Sequence, residues 1–278
     1  MTVATGSTSV ARGAPRVRRR EQFAAIPSTN DVVRGWLAAG EPEICVAVAD
    51  EQTAGRGRNG RTWTAPAGAG LLVSLGFRPS WLPPDRVWRL AAVASLAMAD
   101  AAEAVTGLRE RTVLLKWPND LVVTAGDGAE LLKLGGVLGE TVGLGTADPR
   151  AVVGLGVNVD WPAAEFPSEL ASSMTSLRAI AGDRAIDRDE LLAAFLARLE
   201  ASVDELRGGR FDAHEWAGRQ ATTGRPIELA LPDGSTRAVI ARGVDPDSGA
   251  LRFDGPGIPG GERSVVVVEI QNVRLARV

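Results

Sequence analysis

Between residues 55 and 70 this chain is ill suited to form a helix, and that limits the folds its glycine-rich segment can serve. The segment Gly55-Arg56-Gly57-Arg58-Asn59-Gly60-Arg61 interleaves three glycines with three arginines, and Trp63 follows closely. Glycine lets a backbone approach a ligand and expose consecutive N–H groups, while arginine adds fixed charge and forked donors suited to phosphate or carboxylate. Such a loop is built to close over an anion. Gly55, Gly57 and Gly60 also satisfy the dinucleotide-binding spacing, and Gly55 with Gly60-Arg61-Thr62 is one residue from a P-loop. Both motifs need a helix to begin at the glycines, so that its N-terminus holds the phosphates. Here Pro66, Gly68 and Gly70 discourage a helix, and the run 71–77 reads as a strand. No acidic residue stands about twenty positions on to meet a ribose, and Arg61 replaces the P-loop lysine. A strand–loop–strand context weighs against both nucleotide folds.

At 278 residues and 45% hydrophobic, the chain can bury a large core plus one small extra domain. Its one cysteine, Cys45, excludes an internal disulfide framework and a multi-cysteine zinc site, and its apolar neighbours mark a buried structural thiol. The one histidine, His214, leaves little room for a His-rich metal site or a Ser-His-Asp triad. Chemistry here relies on arginine, lysine and backbone donors.

The first twenty residues carry five arginines and no acid, and read as a disordered basic tail without the apolar core of a secretory signal. The net charge of −3 then leaves −8 on the remaining 258 residues, which weighs against bulk nucleic-acid binding. No apolar run of ~20 residues exists to span a membrane. These readings predict a soluble, cytoplasmic protein with neither DNA nor membrane as a partner.

Hydrophobic periodicity predicts an α/β (α+β) chain. Ser28-Thr29-Asn30-Asp31 supplies helix-capping residues before the apolar stripe Val32, Val33, Trp36 and Leu37, with Gly40 as a stop. Strands follow at 44–49 and 71–77, then an alanine-rich buried helix at 85–105. Further strands are expected at 113–116, 121–123, 131–142 and 151–159, and an amphipathic helix at 188–206 with Asp187 and Glu190 at its start. From about Gly224 short strands (226–231, 236–242, 250–253, 264–270) alternate with the turns Pro232-Asp233-Gly234, 245–249 and Gly255-Pro256-Gly257. That pattern predicts a small closed β barrel as a separate module.

Three more segments carry chemistry. Lys116-Trp117-Pro118-Asn119-Asp120 sets a lysine at a strand end before an amide and a carboxylate, although an ordinary hairpin turn uses the same residues. Lys133 stands in an apolar stretch, either snorkelling to solvent or facing an anion, and Gly135-Gly136 favours the second by permitting close ligand approach. Gly154 and Gly156 repeat that argument, and Asn158 in an apolar strand needs partners that a ligand could supply.

Ser28-Thr29-Asn30, the segment Gln52–Trp63, Lys116–Asp120, Lys133–Leu138 and Gly154–Val159 together resemble biotin protein ligase, in that family's order. The resemblance covers about residues 23 to 160, and the terminal β module also fits; the family's loop often carries basic residues where this chain has Asn59 and Thr62. Ser28 stands too near the N-terminus to leave room for the winged helix of repressor members, so the short, enzyme-only form is expected. The resemblance implies a mixed central sheet flanked by helices, class II synthetase-like, with a small SH3-like C-terminal barrel. Expected boundaries are a tail at 1–20, a catalytic domain at 21–220 and the barrel at 221–278.

It also implies a two-step reaction, in which biotin and ATP give biotinyl-5′-AMP and a lysine on a carrier domain then takes the biotin. That partner would be the biotin carboxyl carrier domain of an acetyl-/acyl-CoA or pyruvate carboxylase. By the same resemblance Lys133, Arg58 and Arg61 are catalytic. Ser28, Thr29, Asn30, Gln52, Gly55, Arg56, Gly57, Arg58, Trp63, Lys133, Gly135, Gly136, Gly154 and Gly156 would surround biotin. Arg58, Arg61, Lys116, Asn119, Lys133 and Asn158 would meet ATP, with Mg²⁺ on the triphosphate and no protein-held metal. A lipoate or octanoate ligase of the same fold is the alternative enzyme, and a nucleic-acid-binding regulator the non-enzymatic one.

Overall fold

The computed structural model describes residues 17–126, 128, 130–255, 263–265 and 272–275. The basic tail through residue 16, the turn residues Pro256 and Gly257 and strand residues 266–270 lie outside them.

A seven-stranded sheet forms the larger part, in the order β1-β2-β3-β7-β6-β5-β4. Its strands are β1 (Arg19–Ile26), β2 (Cys45–Gln52), β3 (Gly70–Phe77), β4 (Leu114–Lys116), β5 (Asp120–Ala125), β6 (Glu130–Val142) and β7 (Arg150–Asn158). Only β1 and β2 pair in parallel; the other neighbours are antiparallel. A parallel pair needs a crossover, and α1 (Thr29–Ala38) supplies it. Its Val33 and Leu37 cover Cys45, Ala47 and Val152 on one sheet face. Burial pushes the Cys45 thiol up to about 11, as expected of a structural cysteine.

The opposite face carries α2 (Trp88–Thr106) and, beyond a one-turn helix α3 (Leu177–Ile180), α4 (Arg188–Arg207). Helix α4 starts where Asp187 accepts hydrogen bonds from the amides of Asp189 and Glu190. Its buried stripe is Leu191, Leu192, Phe195, Leu199, Val203 and Leu206, each contributing about 1.5–3 kcal/mol of burial.

Strand β1 corrects the reading of residues 1–20 as tail, since Arg19 and Arg20 open it. The arginine run hid a strand because Arg19 is held on all sides: its guanidinium lies 4.1 Å from the Trp36 ring centre and bonds Glu21 and Glu41. Charge there is paired, so the flexible-tail composition argument does not apply.

The C-terminal strands β8 (Pro226–Ala230), β9 (Thr236–Val244), β10 (Leu251–Asp254), β11 (Arg263–Val265) and β12 (Asn272–Leu275) form a second, antiparallel sheet. Its order is β11-β10-β9-β8-β12. Between the sheets, α5 (Ala213–Gly218) ends at Arg219, whose side chain is only 4% exposed. Arg219 bonds Glu215, Asp100, Glu103 and the Val113 carbonyl. The link 219–221 runs beside β4, with Leu115 donating to the Arg219 carbonyl and Ala221 to the Leu115 carbonyl. Turn 245–249 of the small sheet then reaches back, where the Gly249 carbonyl accepts the Trp117 indole N–H at 3.0 Å.

Candidate functional site

The α1 face of the sheet opens into a cleft lined by α1, the glycine-arginine loop, the β4–β5 turn and strands β6 and β7. One wall is a polar chain. Ser28 occupies the cap position of α1 but its hydroxyl makes no capping bond, which leaves it for the cleft. The first free helix amide, that of Thr29, donates instead to Gln52 Oε1 at 2.7 Å, and Thr29 Oγ1 donates to the same oxygen at 2.9 Å. Ser74 on β3 lies 2.7 Å from Thr29 Oγ1 and 2.6 Å from Asn30 Oδ1, with its one proton to share. Asn30 Nδ2 donates to Glu140 Oε2 at 2.8 Å. The bonds among Thr29, Gln52, Ser74, Asn30 and Glu140 fix the orientations of these side chains and leave the Ser28 hydroxyl and the Gln52 NH₂ for a ligand.

The loop forms a second wall. It folds on itself as a small hairpin: Arg56 bridges Thr62, Gly57 N–H donates to the Arg61 carbonyl and Trp63 N–H to the Gly55 carbonyl. At its tip Asn59 and Gly60 take left-handed conformations, with φ of 55° and 71°. Asparagine tolerates that region where a long basic side chain would be strained. Arg58 is drawn inward, and burial, with Arg61 adding to it, pulls its pKa below the ordinary arginine value while Asp120 opposes. It stays charged at neutral pH.

Lys133 on β6 and the turn between β4 and β5 complete the cleft. Lys133 Nζ bonds Asp120 Oδ1 at 2.7 Å and stands 5.4 Å from the Trp63 ring centre. Asn119 Nδ2 donates to the Val137 carbonyl at 3.1 Å, leaving the side-chain carbonyl as its group for a ligand. A second, more apolar cleft of about 1430 Å³ lies behind this turn and shares Arg58 and Lys116–Asp120 with the first.

The cleft is lined by Ser28, Thr29, Asn30, Gln52, Arg56, Gly57, Arg58, Arg61, Trp63, Lys116, Asn119, Lys133, Gly136, Gly154 and Gly156 of the expected set. Gly55 and Gly135 are off its surface. A Cβ at Gly55 would lie 2.4 Å from the Trp63 carbonyl oxygen, and one at Gly135 2.7 Å from that of Gly156. Gly154 and Gly156 make room chiefly for other side chains: a Cβ would lie 2.1 Å from Asn30 Oδ1 at the first and 2.7 Å from the Trp63 ring at the second.

Asn158 also lies off the lining. It is 4% exposed, and its amide donates to the Thr175 carbonyl at 2.9 Å. The next links run from Thr175 N–H to the Lys133 carbonyl and from Lys133 N–H to the Ser173 carbonyl. The expected nucleotide contact is here a brace under Lys133.

Sequence reasoning read Asp31 only as a helix-capping residue and Asp120 only as a carboxylate in a turn, and gave Ser74 and Glu140 no role. Ser74 alone carried a local signal, as the one polar residue in an apolar strand. His214 is exposed on α5, away from the cleft. Among the described residues no three His, Cys, Asp or Glu side chains gather as a metal cluster, and no helix is long and apolar enough to cross a membrane.

The chain is similar to known proteins in sequence and in fold. The model of the Biotin/lipoate A/B protein ligase family matches residues 22–158. The chain is 33% identical over 252 residues to a biotin–[acetyl-CoA-carboxylase] ligase of Mycobacterium tuberculosis, covering 90% of this chain and 86% of the relative. It is 36% identical over 226 residues to a biotin–[acetyl-CoA-carboxylase] ligase of Paracoccus denitrificans, covering 79% of this chain and 88% of the relative. Its fold is similar to that of the biotin protein ligase from Aquifex aeolicus in complex with biotin and ATP. The TM-score is 0.75 at 24% identity, over 93% of this chain and 100% of the other.

Proposed function

From a chain that belongs to the biotin protein ligase family, we infer an ATP-dependent ligase that activates biotin as biotinyl-5′-AMP and transfers it to a protein lysine. The observation that carries the reading is a neutral polar wall facing a wall of cations across one cleft. Biotin is itself divided that way, with a ureido ring at one end and a carboxylate at the other.

At the ureido end, Thr29 Oγ1 has given its proton to Gln52, so it meets a ligand N–H as an acceptor. Gln52 Oε1 is committed to Thr29, which leaves its NH₂ as a donor for the ureido carbonyl. Ser28 can serve either way. Lipoate carries no ureido group and would leave this set unmatched, which favours biotin.

At the other end two anions must meet. A biotin carboxylate oxygen attacks the α-phosphorus of ATP as the bond to the pyrophosphate oxygen breaks. Charge builds on the phosphoryl oxygens, and fixed cations stabilise it more effectively than a general base could. Lys133 spends one of its three donors on Asp120 and offers the others to the carboxylate and α-phosphate. Arg58 and Arg61 take the remaining phosphates, and Lys116 with Asn119 borders the nucleotide. Among the described lining residues Asp120 is the one carboxylate and it is engaged by Lys133, so Mg²⁺ would be carried by ATP itself and would screen the triphosphate charge.

In the second step a neutral lysine amine attacks the biotinyl carbonyl, an amide forms, AMP leaves and the amine's proton is lost. The acceptor is the biotin carboxyl carrier domain of a carboxylase, in a cytoplasmic setting. Two domains meet at the link 219–221: the catalytic sheet with its helices, and the small β module.

Biotin-dependent exchange of labelled pyrophosphate into ATP tests the reading. The wild type exchanges with biotin and not with lipoate, and Lys133→Ala loses about 10²-fold or more. Absence of exchange with either acid overturns it.

A further inference from the structure

The Arg56 guanidinium is held by two acids that lie off the cleft lining. Its two terminal nitrogens donate to Asp31 Oδ2 and Oδ1, each at 2.8 Å, and one of them reaches Glu140 Oε1 at 3.3 Å. Asp31 also holds Arg34 at 2.5 Å. The other oxygen of Glu140 accepts from Asn30 at 2.8 Å and lies 3.8 Å from Arg34. The cluster therefore draws on three separate elements: α1 gives Asp31 and Arg34, the loop gives Arg56, and β6 gives Glu140. A guanidinium gripped at both ends fixes the direction of its own backbone, as a lysine ammonium would not. Two residues further on, that backbone carries Arg58.

We propose that Asp31 and Glu140 are positioning residues for adenylate formation, holding residues 55–63 over the cleft through Arg56 before the nucleotide arrives. This rests on the ligase reading. Arg58 and Arg61 then meet the phosphates without a separate ordering cost. When only a fraction of molecules holds the competent loop, apparent affinity falls by that fraction while the chemistry of the bound complex is unchanged. The clamp therefore acts on the KM for ATP and spares kcat.

The test uses Asp31→Ala, Asp31→Glu and Glu140→Gln in the full chain. Exchange protection of the Gly57 and Trp63 amides is measured without ligand, and KM and kcat by pyrophosphate exchange. Both amides donate within the loop hairpin, so they report its closure. Asp31→Ala lowers both protections, raises the KM for ATP about 3- to 10-fold and leaves kcat within about twofold. Glu140→Gln keeps an acceptor for Asn30 and shifts the KM in the same direction by less, and Asp31→Glu restores the wild-type values. Unchanged protection, or a fall in kcat with KM unmoved, overturns the proposal. Should the wild type show no biotin-dependent exchange, the ligase reading fails by itself. The amide measurement then still decides the clamp, with lowered protection supporting it and unchanged protection overturning it.

Discussion

Asn30 occupies the place where residue 154 would carry a side chain: a Cβ on Gly154 would lie 2.1 Å from Asn30 Oδ1. The polar wall and the floor of the cleft are thus one fitted unit. Gly154→Ala must displace an amide already bonded to Glu140 and lying 2.6 Å from Ser74 Oγ. The expected result is a loss of about 1–3 kcal/mol of stability and a rise of about tenfold or more in the KM for biotin, with a smaller change for ATP. Urea unfolding and separate titration of the two substrates measure this. Equal changes in both KM values count against a biotin-side role for Asn30.

Asn158 acts on Lys133 at a distance, through Thr175. Asn158→Ala leaves a buried carbonyl without its donor and costs about 1–3 kcal/mol. Pyrophosphate exchange falls, by less than in Lys133→Ala. Asn158→Asp does not rescue, because an ionised carboxylate cannot donate to a carbonyl. Restored exchange in Asn158→Asp would argue that the side chain meets the substrate directly.

The clamp has a defined pH response. Asp31 sits below the ordinary carboxylate value of 3.8, chiefly through its hydrogen bond from Arg56. A depressed acid contributes stability that is complete above the unfolded-state value and is lost as pH falls through the folded-state value. Protection of the Gly57 and Trp63 amides, corrected for intrinsic exchange, is therefore flat from pH 8 down to about 5 and is lost progressively at lower pH, as Asp31 takes up its proton. A decline near pH 6 would show that another group governs the loop.

Arg219 links α2 and α5 through the carboxylates of Asp100, Glu215 and the buried Glu103, and reaches the segment before β4 through the Val113 carbonyl. Arg219→Met strands the Glu103 charge, whose side chain is 5% exposed, and costs about 3–5 kcal/mol. Thermal unfolding shows the loss directly. Adding Glu103→Gln recovers part of it, because the penalty belongs to the uncompensated charge.

Much of this molecule was legible along the chain, for reasons that differ by residue. The strands 71–77 and 151–159 and the helix 188–206 declare themselves through apolar periodicity, and the structure moves their ends by one residue at most. Lys133 stood out as a lone charge in an apolar stretch. The residues that pair with the site did not. Glu140 and Asp31 look like ordinary surface acids, because their partners come from elements far apart in sequence. Asn158 was noticed rightly as a polar residue needing partners, but local sequence cannot say whether a ligand or the Thr175 carbonyl meets that need. The glycines were noticed as missing side chains; what fills the space, Asn30 or the Trp63 ring, is a tertiary fact. Strand β1 was concealed by arginines whose neutralising partners, Glu41 and the Trp36 ring, lie across the crossover.

The bond from Trp117 to the Gly249 carbonyl spans 132 positions of chain. It ties the turn bearing Asn119 and Asp120 to the hairpin of the small sheet. During synthesis, the glycine-arginine loop, Lys133 and the polar wall all leave the ribosome well before Gly249 does. The turn bearing Asn119 and Asp120 therefore gains this support only after the other walls of the cleft have been synthesised, and a nascent chain halted short of that hairpin carries the cleft residues without the latch that holds their turn.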